Sequence, residues 1–236
     1  VFEDLVVDGI TSDTYGYNDG IDINLKDGDY QNVTIRDSRI SNVSAGGPSD
    51  PSFSAAVAIK ARDDGSYVGS PATLSDVTVE NVVVRDSYNG LRFGEPGANY
   101  SIATGPQSVS VTNSRFENNT RYHYQDLPGS TDIDTVQSQN TFDEIARVEL
   151  ADGRSGPTIW AQLQAAVDRA TANETVHVVE GTFPETVTVG PPDLRLDGSG
   201  TIEGHVKLRA AGPRRHGVTI CTPTFHPATI TPARVL

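Results

Sequence analysis

The feature that most constrains this chain is a repeat. Four short segments, Leu5-Val6-Val7, Val33-Thr34-Ile35, Val77-Thr78-Val79 and Val109-Ser110-Val111, recur at steps of 28, 44 and 32 residues. The last three are followed by the same punctuation: Asp37, Ile40 and Asn42; Asn81, Val84 and Asp86; Asn113, Phe116 and Asn118. A second set returns in every unit, as Ile21-Asp22-Ile23, Val57-Ala58-Ile59, Leu91-Arg92-Phe93 and Tyr122-His123-Tyr124, at steps of 36, 34 and 31. Strict apolar-polar alternation over a few residues marks a strand with one buried face. A single unit cannot bury that face alone, whereas stacked units can. Asparagine and aspartate suit the corners, because their side chains bond neighbouring backbone groups and tolerate left-handed conformations. The expected fold class is all-β, a right-handed parallel β-helix (solenoid), with Ile21, Val57, Leu91 and Tyr122 in one interior column. A β-sandwich would need hairpin turns every 8 to 12 residues or so, and few such signals occur.

No segment before residue 155 shows helical periodicity. The stretch Ala45 to Thr73, rich in Gly, Pro, Ser and Asp, lengthens one unit and is expected to project as a loop beside residues 57 to 60. Residues 158–170 place Ile159, Leu163, Ala166, Val167 and Ala170 on one helical face, with Thr158 or Ser155 as the cap. Such an amphipathic helix would cap the open end of a second ladder that begins at Thr175-Val176-His177-Val178-Val179, or fold back as a lid on the first. The expected organisation is β-helix turns over 1–144, a capping helix and first strands of a second unit over 145–205, and a tail over 206–236. No acidic residue occurs in 204–236, while Lys207, Arg209, Arg214, Arg215 and Arg234 make it basic, and it holds Cys221 and four prolines. It reads as an anchoring tail, or as a disordered or out-of-frame segment.

Charge narrows the partners. The 236 residues carry 31 acidic and 18 basic side chains, a net −13, so phosphate is repelled and nucleic acid is not an expected partner. Aspartate dominates the acids and only Lys26, Lys60 and Lys207 represent lysine, a pattern like the surface of halophile proteins, where salt screens crowded carboxylates. No apolar stretch is long enough for a membrane span. With one cysteine no intrachain disulfide can form. With no initiator Met and no membrane-spanning stretch, a mature secreted chain or an excised fragment is expected. Sequons at Asn32, Asn42, Asn99, Asn118 and Asn173 suit exposed loops of an exported glycoprotein, so an extracellular or cell-surface location is expected.

The outward residues of the second strand set would form two files, Asp22, Ala58, Arg92 and His123, then Asn24, Lys60, Gly94 and Gln125. Mixed hydroxyl-seeking and cationic groups suit sugars or uronates; the same file also reads as a plain solvated face. Over residues 15–125 the order of short motifs resembles that of polygalacturonase-type glycoside hydrolases of the pectin lyase-like superfamily. The carrying residues are Tyr17-Asn18-Asp19-Gly20-Ile21, Ser54-Ala55-Ala56-Val57-Ala58-Ile59-Lys60, Tyr88-Asn89-Gly90-Leu91 and His123-Tyr124-Gln125. The resemblance implies a catalytic role for Asp19 and a substrate-binding role for Lys60. It puts the family's acid pair on Ser54 and Ala55, its histidine on Asn89, and its last Arg and Lys on His123 and Gln125. Inverting hydrolysis needs two carboxyl groups, so Asp22 would have to be recruited as the second; Asp63 and Asp64 lie on the same border. A pectate-lyase-like alternative has Asp19, Asp22, Asp27 and Asp29 hold Ca²⁺ with Arg92 or Lys60 as base, although Lys26-Asp27-Gly28-Asp29 also reads as a polar turn. His177 and His205 read as structural. No cofactor is required and Ca²⁺ is possible. The leading expectation is a secreted or cell-surface module that binds polysaccharide or serves structurally. The alternatives are a polysaccharide lyase or glycoside hydrolase acting on uronate-containing glycans, and a spacer without ligand.

Overall fold

Short strands in register with one another dominate the computed structural model, which describes residues 1–11, 18–44, 54–63, 65–96, 106–149, 157–209, 219–221 and 224–225. The fold is mostly β with parallel sheets, and it divides into two units, Val1–Phe142 with Ser155–Thr158, and Asp143–Arg154 with Ile159–Leu236.

The first unit holds three parallel sheets. One is ordered Phe2–Glu3, Gly28–Arg36, Ala72–Glu80, Gln107–Thr112; the next Val6–Asp8, Arg39–Ser41, Val83–Arg85, Arg115–Glu117, Thr141–Phe142. In the third, Asp19–Leu25, Ala55–Ala61, Asn89–Phe93 and Tyr122–Asp126 follow one another. Register stacks like on like: Ile35, Val79 and Val111 in the first sheet, Ile40, Val84, Phe116 and Phe142 in the second. The Phe116 and Phe142 rings lie parallel with centroids 5.0 Å apart. These columns are the core, and their aliphatic members are almost all fully buried.

Two expected alignments are corrected. Leu5-Val6-Val7 does not join Val33-Thr34-Ile35; Phe2 pairs with Ile35, and Val6–Asp8 belongs to the second sheet beside Arg39–Ser41. In the third sheet Ile21, Val57 and Leu91 do stack, but Tyr124 and not Tyr122 continues the column, because Tyr122 pairs with Asn89. The outward file is therefore Asp22, Ala58, Arg92 and Gln125 rather than one ending in His123. Strand side chains alternate with period two, so a slip of two residues leaves the apolar face intact and pattern alone does not detect it.

Between sheets the chain turns at left-handed residues. Asp4, Asp37, Asn81 and Asn113 (φ 55°, 49°, 52°, 52°) leave the first sheet, and Asn42, Asp86 and Asn118 (φ 55°, 52°, 48°) leave the second. Amide-carboxylate bonds join the corners: Asn81 Nδ2 donates to Asp37 Oδ1 at 2.6 Å and Asn118 Nδ2 to Asp86 Oδ1 at 2.7 Å. Gly90 marks a close backbone approach, since a Cβ there would strike the His123 carbonyl.

Two seven-residue helices occur among the described residues, where one was expected. Ile133–Gln139, capped by Asp132, buries only Val136 and is too short for a periodic pattern. In the second unit the helix is Leu163–Arg169, and Thr158–Trp160 is a strand. Thr158 does not cap the helix, whose N-cap position is Gln162, and Ser155 lies outside the described residues. Glu185 supplies the cap instead, accepting from the amides of Leu163 and Gln164. Leu163, Ala166, Val167 and Ala170 are buried as the pattern requires.

Parallel ladders of the second unit run Thr175–Glu180, Arg195–Gly198, Thr219–Cys221; Thr182–Phe183, Thr201–Ile202, Thr224–Phe225; and Val187–Val189, Val206–Leu208. Ile145–Glu149 pairs antiparallel with Thr175–Glu180. The described parts of the 206–236 segment thus extend these ladders. Of the expected loop, 45–53 and Asp64 lie outside the described residues, and Ala72–Glu80 begins a strand at its end. No helix among the described residues is long and apolar enough to cross a membrane.

Candidate functional site

Alternation along the third sheet puts Asp22, Ala58 and Arg92 opposite the apolar column, and Asn24 beside Lys60. This face is not the solvated strip expected of a groove. The Lys60 side chain is 4% exposed, Arg92 is 0%, and Ala58 and Gln125 are buried as well.

What covers that face from within is a charge cluster. The Lys60 Nζ stands 3.1 Å from Asp22 Oδ1, 3.2 Å from Glu95 Oε2 and 3.6 Å from Asp19 Oδ2. Arg92 Nη2 lies 3.6 Å from the same Glu95 oxygen, and its Nε donates to the Gly94 carbonyl at 3.0 Å. The phenol of Tyr122 lies against the Arg92 guanidinium. Three carboxylates face two cations, and only Asp22, 37% exposed, opens to solvent. Burial pushes the Asp19 carboxyl above its usual value, Arg92 and Lys60 pull it back, and Asp22 adds to the rise. Asp19 also accepts the Ala55 amide at 2.8 Å. Because both sit on one ammonium, Asp19 Oδ2 and Asp22 Oδ1 are no more than about 7 Å apart.

Four of the expected residues, Asp19, Asp22, Lys60 and Arg92, are therefore brought together. Gln125 is in register with Arg92 on the same face. Asn24 is half-buried beside Lys60, its Oδ1 shielded and without a hydrogen bond. His123 belongs to the core instead: Nδ1 meets Asn119 Nδ2 at 3.1 Å, and its ring is 5.8 Å from that of Phe142. Ser54 and Asn89, at positions where the resemblance expects catalytic groups, bond inward, with the Asn89 amide donating to the Ser54 carbonyl and the Ser54 hydroxyl accepting from the Asn18 amide.

Sequence reading missed Glu95 and Tyr122. Glu95 lies past the end of its strand, where alternation no longer indicates direction, although its i+3 spacing from Arg92 was a usable signal.

Asp27 and Asp29 do not form a metal cluster with a third ligand among the described residues; Asp27 sits in a left-handed turn (φ 51°) and Asp29 accepts the Thr73 hydroxyl at 2.6 Å. Asn32, Asn42, Asn118 and Asn173 are exposed and all have positive φ, while Asn99 lies outside the described residues. Compared with known protein families, with curated proteins and with solved structures, the chain matches none.

Proposed function

We propose that the chain is a right-handed parallel β-helix of the halophile type, exported or displayed at the cell surface, whose third sheet binds polysaccharide through the open side of its charge cluster. The observation that carries this reading is the convergence of Asp19, Asp22, Glu95, Lys60 and Arg92 on one face. Buried ion pairs are weak contributors to stability, since desolvation offsets much of their attraction. A fold in need of stability alone is served as well by apolar residues there. With its cations neutralised inside, the cluster offers solvent mainly the Asp22 carboxylate, an acceptor for sugar hydroxyls, beside the half-buried Asn24 amide. Retention of the full chain on immobilised neutral and acidic polysaccharides in high salt tests this. Retention that weakens in Asp22→Asn is expected, and passage without retention on every polysaccharide overturns it.

A second reading, hydrolysis or elimination, draws on the Asp19–Asp22 pair. Burial favours the protonated form of Asp19, as an acid requires, and Asp22 is accessible to water, as a base requires. New reducing ends or unsaturated products, lost in Asp19→Asn, would favour it over binding alone.

A further inference from the structure

We propose that the second unit binds a free α-amino acid with an apolar side chain, in a cavity between helix Leu163–Arg169 and strand Val187–Val189. The cavity measures about 290 Å³, at the lower end of the range for ligand pockets, about 300 to 1,000 Å³, so it holds a molecule of amino-acid size rather than an oligosaccharide. Register pairs Val187 with Val206 and Val189 with Leu208, and both valines of the first strand are buried. Alternation turns Thr188 to the other side, and Gly190 and Arg209 after it, because the Arg209 amide continues the ladder by donating to the Val189 carbonyl at 2.9 Å. From the helix, Gln164 and Asp168, four residues apart, line the same cavity. The Gln164 side chain fixes the wall. Its Oε1 accepts from the Thr188 amide at 2.6 Å, and its Nε2 donates to the Thr188 carbonyl at 3.2 Å and to Asp168 Oδ1 at 2.7 Å. Helix, strand and the Asp168 carboxylate are thereby held in place before a ligand arrives.

The fold leaves two opposite charges unspent at this cavity. Asp168 and Arg209 both border it and both are exposed, yet they make no ion pair with each other, and neither has an oppositely charged partner among the described residues. Separated charges of opposite sign on one cavity match a zwitterion: an ammonium group meets Asp168 and a carboxylate meets the Arg209 guanidinium, each through charge-assisted hydrogen bonds. Arg209 stands in the segment 204–236, which has no acidic residue, so a carboxylate there avoids much of the repulsion that a net charge of −13 imposes elsewhere. Val167 and Pro191 supply apolar walls, which suit an aliphatic side chain. A Cβ at Gly190 would meet nothing within 4 Å, so a larger side chain at that position enters open space rather than its neighbours. The site shares no residue with the charge cluster of the first unit and does not depend on polysaccharide binding.

The test is calorimetric titration of the full chain near neutral pH with L-leucine and with two analogues that each lack one charge, L-leucinamide and 4-methylpentanoate. Leucine is expected to bind, and each analogue to bind about tenfold more weakly or worse. Arg209→Gln should weaken leucine by about tenfold and leave leucinamide unchanged, whereas Asp168→Asn should weaken leucine similarly and leave 4-methylpentanoate unchanged. A merely structural role for either residue would lower all three together. Gly190→Leu should abolish leucine binding without lowering the melting temperature. Analogues that bind as tightly as leucine, or a leucine affinity that none of the three variants changes, overturn the proposal. So does the absence of leucine binding by the native chain.

Discussion

Lys60 is the residue on which the cluster depends. Replacing it with Met leaves three carboxylates, two of them nearly buried, without their shared cation, and a buried pair broken on one side typically costs about 3 to 5 kcal/mol. Urea unfolding of Lys60→Met should show a loss of that order, partly recovered when Glu95→Gln is added; an unchanged midpoint would mean that the charges are solvated. A second residue reports on pH. In the second unit burial, the adjacent Asp143 and the charge of Glu185 push Glu144 up to about 8 from an ordinary 4.5. The folded chain then keeps a proton that the unfolded chain has released, so this contribution to stability is whole below pH 4.5 and declines as pH rises toward 8. Glu144→Gln should therefore gain on the native chain between pH 5 and 9 in thermal melts, and a constant difference across that range refutes the assignment. At this scale Asp22, Lys60 and Arg92 were legible because each stands on the outward side of an alternating strand, and Asp19 because of the motif order that resembles polygalacturonase-type hydrolases. Glu95 was not, because its place depends on the chain path beyond Phe93.

The corners are the elements that hold the repeats in step. Asn81 combines φ of 52° with an amide bond to Asp37, so Asn81→Ala incurs the left-handed penalty of about 1 to 2 kcal/mol and loses the bond. Asn81→Gly should lose clearly less. Comparable losses for both in denaturant titrations would place the stabilisation in the side chain rather than the backbone. The same requirement gives the sequons a structural origin: all four described ones have Asn in the left-handed region, and Asn42 and Asn118 already donate to Asp8 and Asp86. Helix 163–169 illustrates a limit of local reading. Its buried face was visible in the spacing of Leu163, Ala166, Val167 and Ala170, but its cap comes from Glu185, 22 residues beyond Leu163, where no local capping signal can indicate it.

For the whole molecule, the net charge of −13 implies self-repulsion that salt relieves. Raising KCl from about 0.2 M to about 2 M should raise the melting temperature, and a flat or falling trend contradicts the halophile reading. Asn and Asp at fixed distances after short alternating strands determined, from sequence alone, that the chain is mostly β and repeats, because strand alternation and left-handed tolerance are properties of a few adjacent residues. Only the tertiary structure decided the register: it placed Tyr124 and not Tyr122 over Leu91, since alternation repeats every two residues and is blind to a slip of two, and it set Phe2 rather than Val7 beside Ile35 by assigning Val6–Asp8 to another sheet. It also decided that Lys60 and Arg92 are buried and share Glu95, because whether an outward side chain meets water depends on chain that returns from elsewhere.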